Sequence, residues 1–185
     1  MAETSGRKAE ASAESSDVLE VPYPESRAAN PGHRTILTRG LNPCIPLLLT
    51  GISSDGKKLA CLSHVPAPPM DQSREWHQPY LENHFNDCKS QLEAQGLNPS
   101  TLRAMTHARF QGDPDYLKNT TPQARNDASL QFFLNQKKET GVLSEVKSVI
   151  NDGAEYRTFF YDIQTGAYRI TSDADTQTVL TSGEF

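Results

Sequence analysis

Residues 44–65 read CIPLLLTGISSDGKKLACLSHV, and this stretch decides most of the fold. The apolar run 44–50 and the run 58–65 each have the length and composition of a buried strand. Residues 53–56, Ser-Ser-Asp-Gly, are typical of a turn. The stretch therefore predicts a β-hairpin, with the two strand ends farthest from the turn lying side by side.

The segments on either side of the hairpin alternate between strand and helix patterns. Leu81, Phe85, Cys88 and Leu92 recur at helical spacing, which predicts a helix ending before Gly96. A second helix is predicted from Pro122, a residue suited to a first helical turn, up to Gly141. Further strands are predicted at 18–23, 35–38, 102–110, 142–150, 156–163 and 167–171. A turn at 151–153 is predicted to join strands 142–150 and 156–163 into a hairpin. This order predicts a single mixed α/β layered domain, a β-sandwich with helices packed on one face and a terminal β-meander.

The composition indicates where the domain begins and ends and which classes of protein can be excluded. Residues 1–17 hold almost nothing apolar and are predicted to be a disordered tail, residues 18–171 the domain, and residues 172–185 a polar C-terminal tail. The chain has 18 basic against 23 acidic residues, which argues against nucleic-acid binding. No apolar run is long enough for a membrane span or a signal peptide, and the three cysteines are an odd number. We therefore expect reduced thiols in the cytoplasm, and no bound cofactor.

Cys44 is the cysteine whose surroundings differ most from ordinary core. It follows Gly40–Leu41–Asn42–Pro43, so a tight turn delivers it to the mouth of an apolar strand. If residues 53–56 close the hairpin, His64 lies at the neighbouring strand end. A histidine within hydrogen-bond reach of a cysteine can take its proton and generate the nucleophilic thiolate. The alternative is that Cys44, like most free cysteines, is a small apolar core residue.

Several short motifs occur in the order seen in one enzyme family. Thr38 and Leu41 stand six and three residues before Cys44, and His64 lies in the stretch 60–66, Ala-Cys-Leu-Ser-His-Val-Pro. Arg125–Asn126 opens the second predicted helix, and Gly153, Arg157, Phe159 and Thr165–Gly166 follow. In these motifs, from about Val18 to Ile170, the chain resembles the CheD family of bacterial chemoreceptor glutamine deamidases and the related cytotoxic necrotizing factor and Burkholderia lethal factor toxins.

The resemblance implies a CheD-like cysteine hydrolase fold and a protein-glutamine deamidase. Cys44 would be the nucleophile, His64 the base and Thr38 the residue that orients the histidine. The substrate would be a protein with an exposed glutamine, either a chemoreceptor in the same bacterial cell or, for a secreted virulence effector, a host protein. The enzyme would act as a monomer. A transglutaminase side activity, in which an amine replaces water, stays open.

The sequence departs from the family pattern at the rim of the proposed site. The family has Gly-Ser before the cysteine and glycine pairs at two further places, where this chain has Asn42–Pro43, Lys57–Lys58 and Gln111–Gly112. Pro43 has no N–H, so one oxyanion donor is missing. A non-catalytic adaptor that keeps the fold is therefore an alternative.

A zinc-stabilised domain is a further alternative. Cys61 with His64, and His84 with Cys88, are spaced so that a Cys₂His₂ zinc site can be drawn. Core packing is the better interpretation of Cys61 and Cys88, because both lie within apolar patterns.

Overall fold

The computed structural model describes residues 17–42, 44–66, 74–108, 121–151, 156–175 and 177–185. These residues form two five-stranded sheets and two α-helices. Sheet A has the order β1-β3-β8-β9-β10, with β1 Val18–Glu20, β3 Thr35–Thr38, β8 Arg157–Asp162, β9 Ala167–Ser172 and β10 Val179–Glu184. Sheet B has the order β2-β5-β4-β6-β7, with β2 Ser26–Ala28, β5 Lys58–Val65, β4 Ile45–Ile52, β6 Arg103–Ala108 and β7 Glu145–Ile150. The helices are α1 Arg74–Glu93 and α2 Pro122–Glu139.

Sheet B is the middle of three layers, and this position explains its sequence. One core cluster lies between sheet B and the two helices, and a second lies between the two sheets. Along β4, Leu47 and Leu49 pack under the helices while Leu48 faces sheet A. A strand that is buried on both faces needs a continuous apolar run instead of alternation. The run of leucines that predicted β4 therefore reflects burial on both sides.

Sheet A has one face against sheet B and the other toward solvent. On β8, Phe159 and Tyr161 are buried in the cluster between the sheets, whereas Phe160 is half-buried and lies under the guanidinium of Arg169 at 4.3 Å from the ring centre. Apolar content is consequently lower in this sheet, most of all in the edge strand β10.

The mixed α/β architecture predicted from the sequence is confirmed. β3 and β5 have the predicted bounds, and the hairpin turn includes Gly56 at φ +83°. Leu81, Phe85, Cys88 and Leu92 all face sheet B from α1. Pro122 opens α2, where Thr121 caps the helix by accepting from the N–H of Ala124 at 3.1 Å.

Two parts of the predicted topology are wrong. The segments predicted as a hairpin around residues 151–153 belong to different sheets: β7 pairs in parallel with β6, and β8 pairs with β3 and β9. Because α2 carries the chain back along sheet B, β6, α2 and β7 form a parallel crossover. The meander is instead β8-β9-β10, so 172–185 is not simply a polar tail: β10 pairs with β9 and completes sheet A. The strand β2 was not predicted.

Some sequence predictions fall outside the described residues. The proposed disordered tail is one of them, apart from Asp17, whose carbonyl accepts from the N–H groups of Arg34 and Thr35. Pro43, Gln111–Gly112 and Gly153 also lie outside the described part of the chain. Neither α1 nor α2 is long and apolar enough to cross a membrane, within the part of the chain that the structure describes.

Candidate functional site

Thr38 and His64 meet between the two sheets. Thr38 ends β3, His64 lies near the end of β5, and both side chains are buried. Thr38 Oγ1 donates to the carbonyl of Val21 at 2.8 Å and lies 2.8 Å from His64 Nδ1. A hydroxyl has one proton, so donation to Val21 leaves Oγ1 as the acceptor for the imidazole. His64 therefore carries its proton on Nδ1, and its Nε2 keeps a lone pair.

The strand order explains why these groups meet. β1 lies parallel to β3, and the N–H of Val21 donates to the carbonyl of Leu37 at 2.8 Å, which brings the Val21 carbonyl beside Thr38. Even-numbered residues of β5 face sheet A, so His64 points at the end of β3. The ring of Tyr23 stands edge-on to His64, with the ring centres 5.3 Å apart.

The second nitrogen of His64 is the basic atom of the site. Among the described residues, Nε2 is buried and makes no hydrogen bond. Burial, and secondarily the charge of His84, lower the pKa of His64 to about 4. At neutral pH the imidazole is therefore uncharged, and Nε2 is available to accept a proton.

Cys44 lies one residue before β4, on the same face of sheet B as His64. Ile45 pairs with Val65 and packs under the helices, whereas Cys44 is half-buried against the cluster between the sheets. Pro46 pairs with His64, so Cys44 is the diagonal neighbour of His64 one step beyond the ladder. Diagonal neighbours on one face of an antiparallel pair have Cα atoms roughly 7–8 Å apart, a separation that aromatic and long side chains can bridge. Cys44 Sγ and His64 Nε2 are not hydrogen-bonded to each other.

His107 occupies the corresponding position on the other side of β4. Leu47 pairs with Thr106, so continuing the register by one residue sets His107 opposite Pro46, as His64 is from β5. The two histidines differ in hydrogen bonding. Arg157 Nη1 lies 3.0 Å from His107 Nε2 and donates to the carbonyl of Asn151 at 2.6 Å. Because a guanidinium only donates, the Nε2 lone pair of His107 is occupied. Of the two histidines that the registers place opposite Pro46, His64 is the one whose Nε2 makes no hydrogen bond among the described residues.

Tyr80 approaches the same end of the fold from α1. Its ring stands edge-on to His84 with centres 4.8 Å apart, and His84 Nδ1 lies 2.8 Å from Ser63 Oγ. Burial first, then the charges of Tyr23 and Cys44, raise the pKa of Tyr80 well above its usual value. The phenol is therefore a neutral hydrogen-bond donor at neutral pH. A cavity of about 410 Å³ lies on its outer side and is lined by Pro24, Glu25, Ser26, Tyr80, Asn83, His84 and Asp87.

The Cys₂His₂ set drawn from the sequence is not assembled. Cys61 and His64 point to opposite faces of sheet B, because Cys61 packs under the helices and His64 faces sheet A. Cys88 lies beside Cys61, and burial and this neighbour raise the pKa of the Cys61 thiol. In the described ranges, no group of three or more His, Cys, Asp or Glu side chains could hold a metal ion.

Two of the three candidate residues are thus hydrogen-bonded to each other, and the third lies on the same face at the neighbouring strand end. The sequence analysis did not predict the contacts of His107, Tyr23 and Tyr80. The two-residue alternation from Met105 to His107 would have placed His107 on the inner face of β6. Tyr80, which precedes the apolar residue Leu81, gave no signal of its own.

No protein-family model matches this chain, and no curated protein matches it either.

Proposed function

We propose that this chain is a protein-glutamine deamidase, a cysteine hydrolase of the CheD-like kind, with Cys44 as nucleophile, His64 as base and Thr38 as the residue that orients His64. The observation that carries the proposal is the hydrogen-bond pattern of His64. Thr38 holds its proton on Nδ1, and the buried Nε2 keeps its lone pair on the face of the sheet where Cys44 lies. A residue that served only to fill the core at position 64 would need neither a fixed proton on one side nor a lone pair on the other.

The chemistry is acyl transfer through a thioester. The Cys44 sulfur attacks the carbonyl carbon of a glutamine side chain while its proton passes to His64 Nε2. The tetrahedral intermediate collapses, and the same proton leaves with the amide nitrogen as ammonia. Water then attacks the thioester, again giving a proton to Nε2, which returns it to the sulfur as glutamate is released. The N–H of Cys44 is a candidate donor to the oxyanion.

The low pKa of His64 defines the resting state of this pair. An imidazole that protonates only near pH 4 does not hold a preformed thiolate–imidazolium ion pair at pH 7. His64 would act as a general base at the moment of attack. The proposal therefore predicts a thiol that is accelerated by His64 at neutral pH, without requiring a strongly acidic Cys44.

The test is selective alkylation of Cys44. Iodoacetamide at pH 7 should modify Cys44 faster than Cys61 and Cys88, which are fully buried, as followed by mass spectrometry of the tryptic peptides. His64→Gln should slow the modification of Cys44. His107→Gln is the matched control, because glutamine can still accept from Arg157, and it should leave the rate unchanged.

Conversion itself is measured on a capped peptide containing one glutamine, with the asparagine peptide as comparison. Glutamate formation that requires both Cys44 and His64 would support the deamidase. Uniformly slow alkylation that does not change in His64→Gln would instead favour the non-catalytic adaptor.

A further inference from the structure

A cavity of about 210 Å³ lies between the sheets at the end of the sandwich opposite Cys44. Its lining includes three side chains from sheet B and three from the side of sheet A: Thr50, Lys58, Arg103, Tyr161, Ile163 and Phe185. Thr50 lies six residues beyond Cys44, which is roughly 20 Å along an extended strand. The cavity is therefore separate from the candidate functional site.

Two polar atoms of this lining are buried without a hydrogen bond. Thr50 and Arg103 are paired across β4 and β6. Both face sheet A, because the alternate residues Leu48 and Met105 belong to the cluster between the sheets. Among the described residues, neither Thr50 Oγ1 nor Arg103 Nε makes a hydrogen bond, and Thr50 is only 5% exposed. Buried polar groups in native proteins are nearly always hydrogen-bonded, so this pair points to a molecule that binds in the cavity.

The contacts of Arg103 hold its guanidinium at the cavity. Its Cζ lies 4.1 Å from the centre of the Phe185 ring, and Nη2 lies 2.7 Å from a carboxylate oxygen of Glu145. These two contacts fix the plane and the direction of the guanidinium. Lys58, on the other side of β4, donates from Nζ to the carbonyl of Gln164 at 2.6 Å, and an ammonium has three donors in all.

The donors and the walls together define the chemistry that the cavity fits. Arg103 Nε can only donate and the Thr50 hydroxyl can donate, so acceptor oxygens satisfy both. Directly opposite residues on one face of a sheet have Cβ atoms about 4.5–5.5 Å apart, close enough for the two oxygens of one carboxylate. Carboxylates also form the stronger, charge-assisted hydrogen bonds with arginine. The remaining walls are apolar and aromatic, and an apolar cavity of about 150 Å³ is large enough for benzene.

We propose that this cavity is a binding site for a small monocarboxylate with an apolar body of about the size of a benzene ring. The carboxylate accepts hydrogen bonds from Arg103 Nε and Thr50 Oγ1, and the apolar body lies against Tyr161 and Ile163. The site uses none of the residues assigned to the deamidase, so its test is independent of the proposed function.

The experiment titrates the full chain with sodium benzoate and follows the backbone amide signals by nitrogen-15 NMR. We expect saturable shifts at Thr50, Gly51 and Arg103, and a weaker response to benzamide, which has the same ring and no charge. Thr50→Val keeps the shape and removes one donor. Because a hydrogen bond to a charged group changes an equilibrium by about tenfold, the Kd for benzoate should rise about tenfold. Arg103→Lys keeps the charge, removes Nε and should weaken binding by a similar factor.

Thr171→Val is the matched control. Thr171 Oγ1 is also buried without a hydrogen bond among the described residues, but Thr171 does not line the cavity. The variant should leave the Kd for benzoate unchanged. The amide spectrum of each variant reports whether it is folded.

The outcomes decide between a carboxylate site and its alternatives. Weaker benzoate binding in Thr50→Val and Arg103→Lys, with unchanged binding in Thr171→Val, supports the proposal. No saturable shift up to the solubility limit of benzoate overturns it. Equal affinity for benzoate and benzamide, without an effect of Thr50→Val, means that only the apolar wall is used and overturns the carboxylate assignment. Saturable shifts confined to another part of the chain overturn the site.

Discussion

Replacing Thr38 by valine tests the hydrogen-bond arrangement from which the site is argued. Valine has nearly the same shape, so the change removes the hydroxyl and little else. The variant loses the bond to the Val21 carbonyl and the bond to His64 Nδ1, both 2.8 Å long and buried. Each buried partner left without a hydrogen bond costs about 1–3 kcal/mol. We expect the free energy of unfolding to fall by roughly 2–6 kcal/mol, out of the 5–15 kcal/mol typical of a domain.

The same change should affect the chemistry of His64. Without the hydroxyl, no acceptor holds the imidazole proton on Nδ1, and the tautomer that protonates Nε2 becomes accessible. Loss of a bias of about 1.4 kcal/mol corresponds to a tenfold change in the equilibrium. The fraction of His64 that keeps its lone pair on Nε2 then falls from about nine-tenths to about one-half, so alkylation of Cys44 at pH 7 should slow about twofold in Thr38→Val. Thr38→Ser keeps the hydroxyl and loses only a methyl group, which costs about 1 kcal/mol, and should keep the alkylation rate.

Two measurements on the same samples check this prediction. Urea unfolding gives the loss of stability, and peptide mass spectrometry after brief iodoacetamide treatment gives the rate at Cys44. Cys61 and Cys88 report inside each sample that the fold is intact, since both are fully buried and should remain unmodified. An unchanged stability together with an unchanged Cys44 rate in Thr38→Val would refute the hydrogen-bond arrangement.

Two further predictions concern the histidines. Because the pKa of His64 is about 4 in the folded state, against a usual 6.5, the unfolded chain binds the proton more tightly, so stability is full above about pH 6.5 and is lost as the pH falls toward 4. The loss should be at most about 3 kcal/mol, and it should be smaller in His64→Gln when urea midpoints at pH 7 and pH 5.5 are compared. For His107, whose Nε2 accepts from Arg157, nitrogen-15 NMR at neutral pH should show an unprotonated Nε2 and a protonated Nδ1. A protonated Nε2 would contradict the Arg157 contact.

Local sequence patterns were sufficient to predict the elements whose structure depends on residues close in the sequence. The β4–β5 hairpin follows from two apolar runs around a short turn, and its eight-residue register is continuous. The apolar face of α1 follows from helical spacing, because one side of the helix is buried. In both cases burial, periodicity and turn chemistry point to the same structure.

Sequence reasoning failed where pairing is distant or burial is partial. Nothing within β7 indicates that its partner is β6, because α2 and the segment before it separate the two strands. β10 is an edge strand with no fully buried residue, so its sequence Val-Leu-Thr-Ser-Gly-Glu reads as a polar tail. A strand that contributes backbone hydrogen bonds and little apolar area leaves almost no compositional signal.

The candidate site could be predicted only in part, because some of its contacts are local in the sequence and others join distant segments. A local hairpin places Cys44 and His64 at neighbouring strand ends, so this placement could be predicted. Thr38 contacts His64 across two sheets, and only its offset from Cys44 in the family pattern indicated it. The contact between Arg157 and His107 also joins the two sheets, and spacing along one chain does not encode such a pair.

The distribution of polar groups inside the sandwich supports a functional interpretation of this end. In the described part of the chain, His64, His107 and Arg157 are fully buried between the sheets, and all three lie at the end where β5 and β6 finish and β8 begins. The opposite end of the same space holds apolar and aromatic side chains: Ile36, Ala60, Tyr161, Ile163 and Tyr168.

Stability alone does not call for this arrangement. Burying a charge or an imidazole is unfavourable unless its hydrogen bonds are satisfied, and apolar replacements of similar size often stabilise a core. Arg157 and His107 satisfy each other in part, whereas His64 has a nitrogen without a hydrogen bond in the described structure. Burying these polar groups therefore carries a desolvation cost, and under the proposed function His64 Nε2 would be the proton acceptor for Cys44.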